Sequence, residues 1–154
     1  MEKELFTGSK VAEVELVYRS KVKASQRPQV KTSLDAYMIL SELWDEGTMD
    51  LQESFKVLML NRGNKVLCLY NASLGGITGT VADPRLIFTA ALKASAVSII
   101  LAHNHPSGSL LPSRADEELT MKFKGAGQLL DIKVVDHLIL TAETYYSFAD
   151  EGLI

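Results

Sequence analysis

The sequence predicts an α/β domain, a mixed β-sheet flanked by helices, and three observations carry that prediction. Short apolar runs rich in β-branched residues, such as Val97–Ala102 and Ile132–Leu140, alternate along the chain with longer stretches of helical periodicity. Two helical stretches open on N-cap signatures, Asp83-Pro84 and Ser113-Arg114-Ala115-Asp116. Asn61-Arg62-Gly63-Asn64 lies between two apolar runs and is a hairpin signal.

Taken in order, residues 1–10 are polar and read as a frayed end. Val14, Leu16 and Tyr18 alternate with Glu13, Glu15 and Val17, which predicts a strand with one mostly wet face. Arg19, Lys21, Lys23, Arg27 and Lys31 follow with no acidic residue among them. They read first as a solvated loop or edge strand and second as a basic arm for nucleic acid or an acidic partner. Ser33 caps a helix expected through Glu46, with Leu34, Tyr37, Met38, Leu40, Leu43 and Trp44 as its apolar stripe and Gly47 at its end.

Glu53–Leu60 reads as a strand with Phe55, Val57 and Met59 on one face and Lys56, Leu58 and Leu60 on the other; Val66–Tyr70 returns from the hairpin. Gly75–Val81 is an extended piece interrupted by glycine, with no lysine placed to make it a phosphate loop. A helix from Pro84 to Ser95, the strand Val97–Ala102, a helix from Ser113 to Leu130 burying Ala115, Leu119, Phe123, Ala126 and Leu130, and the strands Ile132–Leu140 and Tyr145–Phe148 complete the chain.

At 154 residues the chain fits one domain, with residues 1–50 expected as a strand-plus-helix extension packed on a main domain of 51–154. Hydrophobic content of 47% with 23% charged residues excludes wholesale disorder. A net charge of −3 argues against a generally basic, phosphate-binding surface. No apolar run approaches the roughly 18–20 residues of a membrane span, and the acidic start MEKELF lacks the character of a signal peptide. Cys68 is the only cysteine, which fits a reducing compartment, so a cytoplasmic protein without membrane association is expected. Within Val66–Tyr70, Cys68 reads as a small core side chain and not as a nucleophile.

The chemistry concentrates between Ala96 and Thr120. The apolar run empties into His103-Asn104-His105, and alternate side chains of a strand share a face, so the two imidazoles sit with Cβ atoms about 7 Å apart and can share an ion. A third ligand must come from elsewhere, and Asp116 is the candidate. Pro112 bars a helix before Ser113, Ser113 caps one, and Asp116 falls in its first turn. Three protein ligands and one water is how a catalytic zinc is held. Pro106-Ser107-Gly108 stiffens the turn after His105, while Asn104 points to the opposite face and ties the loop down. His-Asn-His here is not an HNH nuclease motif, whose residues are spread along a ββα unit.

His103-x-His105, seven residues, Ser113, two residues and Asp116 resemble the signature of the JAMM (JAB/MPN-domain) metalloproteases. The fuller run His103–Gly108, with Pro112-Ser113 and Asp116, resembles their bacterial RadC branch, historically labelled DNA repair proteins. The resemblance spans roughly residues 50–154 and takes in Glu53-Ser54-Phe55, Asp83-Pro84-Arg85, Asp136-His137 and Tyr145–Phe148. It implies an MPN/JAB-type three-layer fold of the cytidine-deaminase-like kind, one Zn²⁺ held by His103, His105 and Asp116, and catalysis by Glu53 as general base, with Ser113 hydrogen-bonding the oxyanion. RadC proteins carry a helical DNA-binding-type region ahead of the metal domain. Here about fifty residues precede the resemblance, without the glycine hairpin of a helix-hairpin-helix.

These observations predict a zinc-dependent hydrolase acting on an amide or isopeptide bond of a peptide or protein. Two other readings stand beside it: a nucleic-acid accessory protein using Arg19, Lys21, Lys23, Arg27 and Lys31, and an MPN scaffold without turnover. Asp136-His137 reads first as a structural pair and second as an outer partner of a ligating histidine.

Overall fold

A computed structural model describes residues 10–76 and 81–154. A short 3-10 turn, Ala24–Gln26, leads to α1 (Ser33–Leu43) and α2 (Glu46–Met49). The order then runs β1 (Ser54–Leu60), β2 (Val66–Leu74), α3 (Pro84–Lys93), β3 (Ser98–Asn104), α4 (Arg114–Leu129), β4 (Lys133–Leu140) and β5 (Tyr145–Ser147).

The five strands form one sheet in the order β2-β1-β3-β4-β5. All neighbours are antiparallel except β3 and β4, which are parallel and joined through α4, as parallel neighbours require a crossover. The sheet is therefore mixed, and it separates two hydrophobic clusters. Phe55, Val57, Met59, Ile99 and Leu101 face α3 and α4, packing on Ile87, Phe88 and Phe123. Leu58, Leu60, Ile100, Leu138 and Leu140 face α1, packing on Ala36, Leu40 and Trp44. Burying each large side chain contributes about 1.5–3 kcal/mol, and Phe55, Phe123 and Leu40 are fully buried. The alternation expected along β1 is the alternation observed.

Several expectations need correction. Residues 10–23 form no strand or helix, and Val14 and Leu16 are 88% and 84% exposed. The alternating pattern there has no second element to bury its apolar face; Tyr18 only donates its hydroxyl to the Leu67 carbonyl of β2. The first predicted helix begins at Ser33 but is capped by Thr32, whose capping box with Asp35 supplies both reciprocal hydrogen bonds. It breaks at Trp44, because Asp45 caps a separate turn, α2, through Gly47 N–H. Its buried stripe is Ala36, Leu40 and Trp44, spaced by four, whereas Leu34, Met38 and Leu43 face outward. In α4 the buried positions are Thr120, Phe123 and Gly127; Ala115 and Leu130 are exposed. Strand β2 extends to Leu74, four residues beyond the expected end. Gly75 and Gly76 exchange backbone hydrogen bonds with Glu53, while Ile77–Thr80 of the glycine-interrupted piece and residues 1–9 lie outside the described residues.

One irregularity decides which side chains of β4 face the end of β3. Pairing between β3 and β4 runs Ile99 to Val134, then Ile100 to Asp136, so Val135 is an extra residue in β4. A bulge of one residue reverses which side chains face which way beyond it. Val134 belongs to the α4-side cluster, and beyond the bulge Leu138 and Leu140 belong to the α1 side. His137 therefore turns toward α4 and the end of β3, while Asp136 turns away. Asp136 accepts hydrogen bonds from the Ser147 hydroxyl and the Ala149 and His137 N–H groups, pinning β5. Burial pushes its carboxyl up from the usual value, and those three hydrogen bonds oppose the rise.

Candidate metal centre

At the carboxyl end of β3 the chain leaves the sheet beside β4, where His105 N–H still bonds the Leu140 carbonyl. His105, Pro106, Ser107 and Gly108 then close a turn through Gly108 N–H to the His105 carbonyl, with Gly108 at φ 81°, a conformation glycine adopts without strain. The turn brings the Ser109 carbonyl to 2.8 Å from His105 Nδ1. A carbonyl only accepts, so Nδ1 carries the proton and the Nε2 lone pair of His105 points inward.

Asp116 arrives from the first turn of α4. Ser113 Oγ accepts the Asp116 N–H at 3.1 Å, and Asp116 Oδ2 accepts the Ser113 N–H at 2.7 Å. This reciprocal cap, legible in the sequence, aims the carboxylate at the histidines. His103 Nε2 lies 3.0 Å from His105 Nε2 and 3.2 Å from Asp116 Oδ1; His105 Nε2 lies 3.5 Å from Asp116 Oδ2. His103 is almost wholly buried, and the side chains of His105 and Asp116 are 13% and 17% exposed, so the group opens to solvent on their side.

Those spacings test whether an ion fits. A tetrahedral ion with bonds of about 2.0–2.1 Å holds its ligand atoms about 3.3–3.4 Å apart. The two imidazole nitrogens lie 3.0 Å apart, each is 3.2–3.5 Å from a different oxygen of the Asp116 carboxylate, and one ligand atom from each residue lies within 4.8 Å of the others. Among the described residues, His103, His105 and Asp116 form the group of His, Cys, Asp and Glu side chains able to hold a metal ion. Two imidazoles with one carboxylate suit a borderline first-row ion better than calcium or magnesium, which prefer all-oxygen shells. The electrostatics agree with a centre seeking positive charge. Asp116 draws the His105 pKa up, against burial. For Asp116, burial alone would raise the carboxyl, but the facing His103 and His105 rings, with the Ser113 N–H, outweigh it and hold the group well below the usual carboxylate range.

Glu53 stands one residue before β1. Phe55, opposite His103, is the last residue of β1 paired with β3, and Glu53 lies two residues before it, the spacing by which alternate residues of an extended chain share a face. Its charge adds to the upward shift of His105. Asn104 turns to the other side, as expected, and is fully buried, but its hydrogen bonds tie down the segment before β1 and not the loop after His105. The basic residues Arg19, Lys21, Lys23 and Lys31 are exposed and Arg27 is half-buried, its guanidinium on Ser20. Cys68 is half-buried against the α4-side cluster, and burial pushes its thiol up, as an inert packing residue.

Two neighbours complete the surroundings of His103: Thr120, which sequence reasoning missed, and His137, for which the role of outer partner to a ligating histidine was the second reading. Thr120 sits one turn after Asp116, and His137 lies 2.8 Å from His103 Nδ1. Thr120 has no motif to mark it. His137 carried a signal, a histidine next to aspartate in an apolar strand, but strict alternation from Val134 would have turned it away from the site.

A mixed sheet with a His-x-His strand end facing a helix-borne aspartate defines an α/β domain of the JAB type carrying a potential metal centre. The chain belongs to the RadC-like JAB domain family, whose model matches residues 30–153. It is 47% identical over 125 residues to a UPF0758 protein of Flavobacterium johnsoniae, covering 81% of this chain and 53% of that protein. A UPF0758 protein of Porphyromonas gingivalis is 47% identical over 104 residues, covering 67% of this chain and 46% of the relative. One from Caldanaerobacter subterraneus is 41% identical over 114 residues, covering 74% and 49%. The chain thus spans about half the length of the curated relatives it matches. No helix among the described residues is long and apolar enough to cross a membrane.

Proposed function

We propose that this domain is a zinc-dependent hydrolase of the JAMM type that cleaves an amide or isopeptide bond in a peptide or protein substrate. The observation that carries the proposal is the convergence of His103 Nε2, His105 Nε2 and the Asp116 carboxylate, with one ligand atom from each residue within 4.8 Å of the others. His103, His105 and Asp116 would hold the ion. When bound, zinc supplies a Lewis acid that lowers the pKa of a coordinated water to about 7 and polarises a carbonyl oxygen.

The remaining work falls to the protein. Glu53, on the imidazole face but outside the ligand set, accepts the proton of the attacking water and passes it to the leaving nitrogen. The Ser113 Oγ lone pair is engaged by Asp116 N–H, which leaves the hydroxyl proton available to the oxyanion of the tetrahedral intermediate. Burial of His103, and of Phe55 stacked over it with 6.0 Å between ring centroids, keeps water from one side of the centre.

Metal analysis of purified protein tests the proposal. About one zinc per chain is expected in wild type, and much less in His103→Ala and Asp116→Ala. Zinc-dependent hydrolysis of a panel of fluorogenic peptide and isopeptide-linked substrates is the second arm. Wild type without bound metal would refute the proposal; stoichiometric zinc with no hydrolysis across the panel would favour the scaffold reading.

A further inference from the structure

We infer that His137 and Thr120 are positioning residues of the metal centre: they lock His103 in the tautomer whose Nε2 lone pair faces the ion. The inference rests on the proposed reading of the centre as a metal site, and it concerns residues outside the ligand set.

The hydrogen-bond chain starts at an atom whose role is not negotiable. The Asp116 carbonyl can only accept, and Thr120 Oγ1 lies 2.7 Å from it, so the threonine hydroxyl donates there. Its proton committed, Thr120 Oγ1 must act as acceptor toward His137 Nδ1, 2.6 Å away. His137 therefore carries its proton on Nδ1, and its Nε2 is a lone pair. That lone pair faces His103 Nδ1 at 2.8 Å, so His103 is protonated on Nδ1 and bare on Nε2. The carbonyl of residue 116 thus dictates, through two side chains, the direction of a lone pair aimed at the carboxylate of the same residue.

The circuit closes on itself: Asp116 carboxylate, His103, His137, Thr120, Asp116 carbonyl. It ties together β3, β4 and the first turns of α4, the elements that bring the ligands to one point. Nothing local to β3 would do this, because a free imidazole is nearly indifferent between its two neutral forms.

His137 is also walled in. It is fully buried, stacked on Phe148 at 4.8 Å with 13° between planes and tilted against Phe55 at 5.7 Å. Phe148 N–H bonds the His137 carbonyl as well, fixing the strand behind the ring. An apolar box of this kind keeps the imidazole neutral. A ligating histidine more often donates its outer N–H to a carboxylate or backbone carbonyl. A neutral imidazole withdraws less positive charge from the ion than a carboxylate would, which preserves its Lewis acidity. The bulge at Val135 is what sets His137 on this face.

The test uses two pairs of variants. Gln at 137 offers an acceptor to His103 and a donor to Thr120, whereas Leu offers neither; Ser at 120 retains the hydroxyl, whereas Val removes it at similar volume. Zinc affinity is measured by competition with a chromophoric chelator. His137→Leu and Thr120→Val are expected to bind zinc about 10–100-fold more weakly, and His137→Gln and Thr120→Ser close to wild type. Wild-type affinity in both His137→Leu and Thr120→Val would overturn the inference, and if His137→Leu fails to fold, Thr120→Val alone decides. Long-range ¹H–¹⁵N NMR supplies a readout that a merely structural role would not move. His137 should be protonated on Nδ1 in zinc-loaded protein and in metal-free protein at mildly alkaline pH, and protonation on Nε2 would overturn the inference. Wild type that binds no zinc would refute the metal reading instead, and the tautomer measurement on metal-free protein would still decide the role of His137.

Discussion

Asn104 grips the chain on both sides of Glu53. Its Oδ1 accepts the Ser54 N–H at 2.7 Å, and its Nδ2 donates to the Gln52 carbonyl at 3.0 Å and the Met49 carbonyl at 2.7 Å. The middle residue of His-x-His, turned away from the metal face, thus fixes the approach of the residue proposed as base. The two histidines proposed as ligands and the residue proposed as base are set by one tripeptide from its two faces.

Glu53→Gln should therefore separate chemistry from metal binding. The amide keeps the shape and the backbone bonds to Gly75 and Gly76 but cannot take a proton. Zinc content and melting temperature are expected to stay at wild-type values while hydrolysis falls by about 10²–10⁴-fold. Full activity in this variant would remove Glu53 from the mechanism.

Asn104→Ala should lose both stability and activity. It strands the buried Ser54 N–H and two carbonyls, and each buried group left unpaired costs about 1–3 kcal/mol. Urea denaturation of the metal-free protein is the measurement, and a cost below that range would mean that water replaces the amide.

Ser113→Ala removes the side-chain half of the cap that orients Asp116. Loss of an N-cap costs about 1 kcal/mol, and the same change should weaken zinc binding because Asp116 N–H loses its partner. Ser113→Thr retains a cap oxygen and should recover both quantities; recovery of stability without recovery of affinity would show that the cap does not aim the ligand.

The two glycines of α4 should respond with opposite signs. A Cβ at Gly127 would run into the backbone carbonyl of Ile132, where the chain turns into β4, and backbone cannot step aside cheaply. A Cβ at Gly125 meets nothing. Gly125→Ala should gain about 0.5–1 kcal/mol from the helical preference of alanine, and Gly127→Ala should destabilise, as read by denaturant midpoints. Equal effects would deny the close approach.

What the sequence reveals depends on whether a feature is local. The cap from Ser113 to Asp116, the Asp83-Pro84 helix start, the Asn61–Asn64 hairpin and the alternation in β1 each depend on residues a few positions apart, and each appears where expected. The cluster of His103, His105 and Asp116 is legible for the same reason, since both halves are short-range motifs that the turn at Gly108 brings together. The strand expected at Val14–Tyr18 does not form, because alternation states a preference for a half-buried surface without supplying one. The helical stripes are misphased because exposed Leu34, Met38 and Leu130 look no different in sequence from buried residues. His137 is only half legible, read first as structural and second as an outer partner of a ligating histidine, for a third reason: one extra residue, Val135, inverts the parity of β4, and only pairing with β3 exposes it.

The pH dependence of the metal-free protein gives the last prediction. Asp116 raises the His105 pKa above its ordinary value of 6.5, so the stability this pair contributes is fully present below 6.5 and is lost as pH rises through the shifted value. His137 works in the other direction and in another window: burial, and then the neighbouring His103, lower its pKa well below 6.5, so it costs stability only as pH falls beneath 6.5. Above 6.5 it is neutral in folded and unfolded chains alike and drops out. Asp116, its pKa lowered in the fold, contributes a constant amount above 3.8. Metal-free protein should accordingly lose melting temperature as pH rises above 6.5. Zinc competes with the proton of His105, so its affinity climbs over the same range and its stabilisation grows with pH. Melting curves with and without zinc should diverge as pH increases, the metal-free curve falling while the loaded one holds. Parallel curves would mean that the ion is not taken up by His103, His105 and Asp116.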